Sequence, residues 1–463
     1  MKGFVVAVIT IFISVSALGN NKDTTNQTPG FYKDTFNLAQ HFSKGHVKGH
    51  VRNFFMNTIN EGSLRDYWTN AIGMSLHYES LPFYGFMFEM KGIFTFQTIS
   101  SDLNYIDPLS GKSSKWEIEL YDILDRNNKT DLDRLEELFI HYQWKNSFVR
   151  YGRIPIDKTP LVNARDGRMK PFAFEGAYSE IGISKKWKIK SMIIHGVSPR
   201  STVEWFQFHE AIGLNNNGFT PMGEKAEYHE HLDSRFLFGQ EIKFQDKNFS
   251  ASFWEFYFDK LFNLNWGQME VKSKHFKLGI IGVNQFGLKE QKELEIVNQY
   301  YTPGTRAHVA SELIEFKNGD WKYKAARSDV FGNGKFLFPR ELGRERLYTS
   351  ITRSWMDGFG KSSMTNFGIN YKPKKKKELE LDLVTSFVKT PGQTNYAFNK
   401  YGTRDYIQTN FEIDYNFEGR LKGLELDLLY IYVKDVHAKT ITYEEAANKT
   451  NFHQINLIMN INF

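Results

Sequence analysis

The sequence predicts an all-β protein, a transmembrane antiparallel β-barrel of about 18 strands. Three observations favour this fold. Residues 452–463 alternate apolar and polar side chains and end on an aromatic residue. Strand-like segments come in pairs that are joined by short polar turns and separated by longer loops. Past the N-terminal segment, no stretch approaches the ~20 consecutive apolar residues of a membrane helix.

The C-terminal segment has the period of a barrel strand. From Ile455 to Phe463 every second residue is apolar, and the positions between them carry amides except at Ile458. An extended strand points alternate side chains to opposite faces, so this pattern suits one face in lipid and one in water. The alternation recurs in residues 378–383, 404–418 and 424–432. We expect the face that carries Arg404 to point into the barrel.

The N-terminus has the pattern of a secretory signal peptide. Lys2 precedes a short apolar run, and the run ends in Ala17-Leu18-Gly19, whose small residues suit cleavage. We interpret residues 1–19 as a cleaved signal peptide, 20–44 as a short N-terminal periplasmic segment and 45–463 as the outer-membrane β-barrel. A membrane anchor is the weaker interpretation, because the apolar run is too short to span a bilayer.

Composition agrees with an exported barrel. The chain has 463 residues and no cysteine, and its mean hydropathy is -0.48. A membrane protein with a polar mean hydropathy can still present an apolar face to lipid if apolar and polar residues alternate along its strands. Only about half of the strand residues then need to be apolar. The absence of cysteine excludes disulfide and thiolate chemistry. The 59 Lys and Arg residues exceed the 53 Asp and Glu residues by 6, too mild a balance to indicate nucleic acid.

The connections between the strand-like segments predict the orientation of the barrel. Outer-membrane barrels have short periplasmic turns and long outer loops, which places both termini on the periplasmic side and requires an even strand number. Residues 343–356 fit either a strand or part of a loop. The longer loops cover roughly 99–133, 155–173, 199–232, 286–304, 332–362, 391–403 and 437–451.

Two stretches resemble a known family. Residues 152–176 read GRIPIDKTPLVNARDGRMKPFAFEG, which resembles the third-loop segment of OprD-type outer-membrane porins. The matching positions are Gly152, Pro160, Asp166, Arg168, Pro171, Phe174, Glu175 and Gly176. Residues 51–57, followed by Asp66-Tyr67-Trp68, resemble the first strand of that family and its continuation. Arg165 and Lys170 depart from the family pattern and raise the positive charge of the loop, and the chain as a whole resembles a Bacteroidetes-like member.

The resemblance implies an 18-stranded monomer or a loose trimer in which the third and seventh extracellular loops fold inward and narrow the pore. Those loops correspond to residues 155–173 and 332–362. In this family, basic side chains on the wall face acidic groups from the loops and guide small carboxylate-bearing solutes. Charged groups at a narrow point also select solutes by sign on physical grounds. The candidate constriction residues are Arg150, Arg153, Arg165, Asp166, Arg168, Lys170, Arg344, Arg346 and Arg404, with Arg52 and Arg327 as further candidates for the basic row.

These observations predict a passive diffusion channel in a Gram-negative outer membrane. We expect it to pass small hydrophilic solutes, anionic or zwitterionic and bearing carboxylates. The expected partners are these solutes, outer-membrane lipid and lipopolysaccharide, and the barrel-assembly machinery, which would recognise the C-terminal strand. We expect no cofactor, no metal and no nucleic acid. Residues 125–136 have calcium-loop spacing, but Thr130 stands where the turn needs glycine.

Two other function classes are less favoured. A barrel-embedded enzyme such as a phospholipase would need a Ser-His pair near the rim. His77, His141 and His195 lie in strand-like segments, but nothing in the sequence couples one of them to a serine. An energy-coupled receptor would need a folded plug domain, and residues 20–45 are too few to form one.

Overall fold

A single closed antiparallel sheet forms the body of the protein. The computed structural model describes residues 37–157, 159–164 and 168–463. Within these residues nineteen strands form one sheet, and eighteen of them close into a barrel because the first strand pairs with the last. The remaining strand, of two residues, pairs only with its predecessor along the chain. The predicted barrel of about 18 strands is confirmed.

The strands follow one another around the barrel in sequence order. They are β1 (His46–Asn60), β2 (Tyr67–Glu79), β3 (Phe86–Ser100), β4 (Arg134–Trp144), β5 (Ser147–Ile154), β6 (Ala173–Gly182), β7 (Trp187–Ser198), the two-residue β8 (Phe206–Gln207), β9 (Leu237–Gln245), β10 (Phe249–Phe258), β11 (Phe262–Lys272), β12 (Phe276–Gly287), β13 (Arg306–Asn318), β14 (Trp321–Gly332), β15 (Ser362–Tyr371), β16 (Leu379–Lys389), β17 (Tyr406–Asn416), β18 (Leu424–Asp435) and β19 (Phe452–Asn462). Because β7 also pairs with β9, the wall is continuous past β8.

The helices are short. They are α1 (Leu38–Ser43), α2 (Phe208–Ala211) and α3 (Tyr443–Ala446), with 3-10 turns at Ile118–Leu120, Lys289–Glu293, Ile296–Asn298 and Gly419–Leu421. Asn37 caps α1 by accepting a hydrogen bond from the backbone N–H of Gln40 at 3.0 Å. Among the described residues, no helix is long and apolar enough to cross a membrane.

The two ends of the barrel differ in their connections. One end has turns of two to seven residues, and the other has the loops between β1 and β2, β3 and β4, and so on around the barrel. Short turns mark the periplasmic end of such a barrel. Seven outer loops match the predicted ones within a few residues, whereas residues 61–66 and 259–261 form two short outer loops that were not predicted. Residues 343–356 lie in the loop before β15, not in a strand.

The two faces of the wall separate apolar from polar side chains. In β19, Leu457, Met459 and Ile461 are exposed on the outer face, as their period of two predicts. In β17, Tyr406, Gln408 and Asn410 are buried on the inner face, whereas alternate residues between them face outward. The predicted orientation of the 406–416 segment is therefore confirmed.

Exposed aromatic side chains mark the periplasmic end of the lipid-facing surface. The five strands β3, β7, β10, β12 and β14 all rise from that end, and each begins with an exposed aromatic residue: Phe86, Trp187, Phe249, Phe276 and Trp321. Aromatic rings with an apolar body and a polar or polarisable edge collect at the membrane–water boundary. This row therefore places the lower boundary of the membrane.

Glycine residues at the base of the third loop allow β5 to approach its neighbouring strand β4 closely. Gly152 of β5 lies opposite Gly176 of β6 in the strand register. The φ angle of Gly152 is +127°, and a Cβ atom there would lie 2.3 Å from the carbonyl oxygen of Leu138. Only glycine tolerates both this backbone conformation and this approach. The third loop therefore begins and ends at closely packed strands of the barrel wall.

Candidate functional site

The third and seventh outer loops fold into the lumen and join there. Residues 155–172 follow β5 and residues 333–361 follow β14. Val162 and Gly343 form an isolated antiparallel bridge between the two loops. Asn163 donates its side-chain N–H to the carbonyl of Arg344 at 3.0 Å, and the backbone N–H of Arg346 donates to Pro160 at 2.9 Å. The expected inward-folding loops are thus present and share a seam of hydrogen bonds.

The seventh loop is also fixed to the inner wall. The carbonyl oxygen of Thr352 accepts hydrogen bonds from the amides of Gln408 at 2.7 Å and Asn410 at 3.1 Å. Arg353 donates its Nε to the side chain of Gln454 at 2.8 Å. These partners belong to β17 and β19, whose inner faces carry most of the amide side chains of the two strands. The polar face of the predicted strands therefore anchors the loop that narrows the pore.

A buried carboxylate from the second outer loop organises two arginines at the narrow point. Glu119 accepts hydrogen bonds from Arg168 at 2.5 and 3.2 Å and from Arg200 at 2.9 Å. Arg168 belongs to the third loop and Arg200 to the fourth, so this one carboxylate joins three loops. Arg52 of β1 donates to the carbonyl oxygen of Arg168 at 2.5 Å. Three further arginines of the seventh loop, Arg344, Arg346 and Arg353, complete the basic cluster around the cavity.

The electrostatic balance of this cluster is positive. Burial would raise the pKa of Glu119, but the charges of Arg200 and Arg168 outweigh it and hold this pKa well below its usual range. Burial lowers the pKa of Arg200 to about 9, with Glu119 opposing the shift. Burial also lowers the pKa of Arg353 well below its usual value, and the charge of Arg168 adds to this effect. Six arginines thus line this side of the cavity, and Glu119 pairs with two of them.

A wall of carboxylates faces the arginines across the cavity. Asp382 of β16, Glu412 of β17 and Asp427 of β18 lie on three adjacent strands and line the same cavity of about 610 Å³ as the basic cluster. Asp382 and Glu412 are direct partners in the strand register. The cavity is therefore positive on the side of the loops and negative on the side of β16–β18. Such an arrangement can bind and orient small solutes that carry separated charges.

Three of the residues predicted to form the constriction line this cavity. Arg168, Arg344 and Arg346 are among its lining residues, and Arg52, a further candidate, joins them. The guanidinium of Arg344 donates to the carbonyl oxygens of Arg340 and Gly343, each at 2.6 Å. The candidates Arg165 and Asp166 lie outside the described residues.

Two other candidates lie on the lumen side of the wall but away from the cavity. Arg150 of β5 is nearer the periplasmic end, where its Nε lies 3.4 Å from Nδ1 of His141 and its guanidinium covers the ring of Phe148. Lys170 is almost completely buried within the third loop, and burial lowers its pKa to about 7, with the charge of Arg134 adding to the shift. Neither side chain reaches the narrow point.

Three arginines are placed elsewhere by strand parity or by ion pairs. Arg153 still lies within β5, three residues after Arg150, so the alternation of side chains along the strand points it outward. There its guanidinium carbon lies 4.4 Å from the centre of the Trp205 ring. Arg404 lies at the outer rim in ion pairs with Asp435 at 3.3 Å and Glu445 at 3.5 Å. Arg327 also faces outward, and a two-pronged ion pair with Asp329 at 2.7 Å neutralises it there. We therefore leave these arginines out of the proposed constriction.

Sequence analysis missed Glu119 and Arg200, which are central to the site. Both lie in long loops, and their contact spans 81 residues of sequence, which no local pattern reveals. One signal was available for Glu119. The run KWEIELYDIL at residues 115–124 is unusually apolar for an outer loop, and Ile118, Leu120 and Tyr121 are buried in the lumen. An apolar run inside a long loop indicates a loop that packs against the barrel.

The strand histidines do not have the geometry of a hydrolase. His77 and His141 both face Glu89, at 3.3 and 3.6 Å, rather than a serine hydroxyl. His195 lies exposed in β7. A Ser-His pair with an orienting third group is the arrangement that a barrel-embedded lipase would need.

The architecture defines a transmembrane β-barrel with a lumen narrowed by inward-folded loops, and known structures share it. No protein-family model and no curated protein matches the chain. OccAB2 of Acinetobacter baumannii superposes with a TM-score of 0.68 at 13% identity, covering 92% of this chain and 99% of that one. OccK8 (OprE) of Pseudomonas aeruginosa gives a TM-score of 0.68 at 14% identity over 92% and 99% of the two chains. OccD3 (OpdP) of Pseudomonas aeruginosa gives 0.65 at 13% identity over 92% of each chain.

The fold therefore matches OprD-like porin structures. At these identities the likeness extends to the fold alone. The predicted resemblance is supported at that level, and what this chain transports has to be argued from its own residues.

Proposed function

We propose that this protein is an outer-membrane porin, a passive channel that prefers small hydrophilic solutes bearing a carboxylate, either anionic or zwitterionic. The observation that carries the proposal is the cavity of about 610 Å³ with arginines on one side and Asp382, Glu412 and Asp427 on the other. This volume lies within the range of about 300–1,000 Å³ that is usual for small-molecule sites.

The arginines have unused hydrogen-bonding capacity. Nε of Arg344 and Nη2 of Arg353 are buried, and neither has a hydrogen-bond partner within the described parts of the chain. A buried donor without a partner costs free energy, and a carboxylate can engage two guanidinium donors at once. Both arginines line the cavity, so their charges would attract the carboxylate of a solute that passes the seventh loop. The carboxylates of β16–β18 would attract an ammonium group at the other end of a zwitterion.

The protonation state of Glu345 supports a preference for anions. Glu345 lines the cavity, and burial raises its pKa to about 8, with the negative charge of Asp357 adding to the shift. This seventh-loop acid is therefore mostly neutral at pH 7 and leaves the charge of the arginines uncompensated. Passive diffusion suffices for such a channel, since selection occurs by charge along the path.

The setting of this channel is part of the same proposal. Its exposed apolar face and its row of aromatic residues suit a Gram-negative outer membrane, with lipid and lipopolysaccharide around the barrel. We further propose export by a signal peptide at residues 1–19 and insertion by the barrel-assembly machinery through β19. The barrel would act as a monomer or within a loose trimer, without nucleic acid, cofactor or enzymatic activity.

Planar-bilayer recording tests the proposal. We expect stepwise conductance from the purified barrel and a reversal potential that indicates anion preference in a potassium chloride gradient. The double variant Arg344→Gln/Arg353→Gln should shift this potential towards cation preference, because it removes two charges at the cavity. Arg420→Gln, which changes an exposed arginine in a periplasmic turn, is the matched control.

Two outcomes would count against the proposal. A folded barrel that never conducts would refute the channel, and an unchanged reversal potential in the double variant would refute selection at these arginines. Blocking of the current by glutamate or glycine, but not by glucose at equal concentration, would support preference for carboxylates. Release of fatty acid from phospholipid vesicles would favour an enzyme instead.

A further inference from the structure

A second cluster of polar side chains lies on the lumen face of β2, β3 and β4, near the periplasmic end and apart from the constriction. It brings together His77, Glu89 and Glu137, whose ligand atoms all lie within 4.8 Å of one another. His77 and Glu137 also line a cavity of about 640 Å³. We propose that these three residues form a binding site for Zn²⁺ in the periplasmic vestibule of the channel.

The spacing of the first two ligands suits zinc. Nε2 of His77 lies 3.3 Å from Oε2 of Glu89. Zinc binds nitrogen and oxygen at about 2.0–2.2 Å in tetrahedral geometry, which separates two ligand atoms by about 3.3 Å. These two residues therefore already stand at the distance that a shared ion requires. Glu137 would approach by at most about 1.5 Å, which a rotation of its long side chain can provide.

A β-bulge delivers the third ligand. The pairing between β3 and β4 shifts from Lys91↔Glu137 to Gly92↔Leu135, which leaves Glu136 as an additional residue. A bulge of this kind redirects side chains on the bulged strand. Both Glu136 and Glu137 reach Lys91 in the lumen, at 3.3 and 3.5 Å. Regular alternation would instead have sent one of the two glutamates into lipid.

Nε2 of His77 is the ring nitrogen that faces the proposed site. It is buried, and its contact with Oε2 of Glu89 at 3.3 Å does not have the geometry of a hydrogen bond. A neutral imidazole presents one nitrogen as an acceptor, which is the form that binds a metal. The second oxygen of Glu89 lies 3.6 Å from Nδ1 of His141, beyond hydrogen-bond distance, and this Nδ1 accepts from Nε of Arg150 at 3.4 Å.

The ligand types select among metals. Calcium and magnesium prefer sites made only of oxygen atoms, whereas one imidazole with two carboxylates suits zinc. Three protein ligands leave a fourth position open, which water or the carboxylate of a passing solute can occupy. Lys91 competes for Glu137, so the charge of Lys91 limits the affinity of the site.

Calorimetric titration of the chelator-treated barrel with zinc chloride tests the proposal. We expect one saturable site per chain, weakened at least about tenfold by His77→Gln and by Glu89→Gln. Lys91→Met should tighten binding, because it frees Glu137 from its competing ion pair. His50→Gln is the matched control, since His50 lines the same vestibule but its Nε2 already contacts Asn460 at 3.1 Å.

Retention of heat-modifiable migration in gels identifies the variants that have folded. If His77→Gln fails this check, Lys91→Met still tests the site, because only a site that uses Glu137 gains affinity. The absence of saturable binding, equal loss in His50→Gln, or weaker binding in Lys91→Met would overturn the proposal. Conductance measured without zinc is a separate readout, so failure of the zinc site and failure of the channel remain distinguishable.

Discussion

Replacing Glu119 by glutamine tests whether one buried carboxylate holds three loops at the constriction. Glu119 accepts three hydrogen bonds from Arg168 and Arg200, whose side chains are only 2% and 8% exposed. Removing one partner of a buried ion pair costs about 3–5 kcal/mol, because the remaining charge stays buried without compensation. We therefore expect Glu119→Gln to lower the free energy of unfolding by about 3–5 kcal/mol.

Guanidinium chloride denaturation in detergent micelles, followed by tryptophan fluorescence, measures this change. Glu295→Gln alters an exposed glutamate in the sixth loop and should leave the midpoint unchanged. Adding Arg168→Met to Glu119→Gln should recover part of the loss, because one of the two buried arginines that lose their contact with Glu119 disappears. A loss below about 1 kcal/mol, the range of an exposed ion pair, would refute the reasoning.

Three further predictions concern selectivity, pH and folding. Asp382→Asn/Glu412→Gln should shift the reversal potential towards anions, and a shift towards cations would contradict the assigned polarity of the cavity. Anion preference should fall as pH rises through about 8, because Glu345 then ionises, and recordings from pH 6 to 9 should lose this dependence in Glu345→Gln. The folded chain holds this proton while the unfolded chain releases it above about 4.5, so the contribution of Glu345 to stability should decline between pH 4.5 and about 8. Gly152→Ala should prevent folding and so abolish the heat-modifiable form. Gly282→Ala, which would add a methyl group in open space, should keep it. Equal behaviour of the two variants would refute the argument that only glycine fits the close approach at residue 152.

The sequence was sufficient to predict the barrel, because the alternation of side chains along each strand is a local pattern. The alternation around Ile455 and along residues 406–416 reports which face meets lipid, and the lengths of the turns and loops report the orientation. The same rule could have excluded Arg153 from the lumen, since it lies three residues from Arg150 within one strand. Because residue 153 was assigned to the third loop, the alternation of the strand was not applied to it.

The constriction could be predicted only in part, because loops pack through contacts between distant segments. Arg168 and Arg344 were found from charge and from the resemblance of the third loop. Glu119 and Arg200 escaped, since the partners of a loop charge depend on how several loops fold together. Arg327 shows a related limit: the cost of charge in lipid predicts an inward side chain, but Asp329 two residues later neutralises it on the outer face.

The bridge between Val162 and Gly343 has a consequence for how this protein can diverge. Although nine strands separate the two loops along the chain, the bridge joins them as if they were neighbours in one small sheet. An insertion or deletion in one loop would shift its side of the bridge relative to the other loop. New solute preferences should therefore arise by exchange of side chains on a fixed frame, or by paired changes in the lengths of both loops.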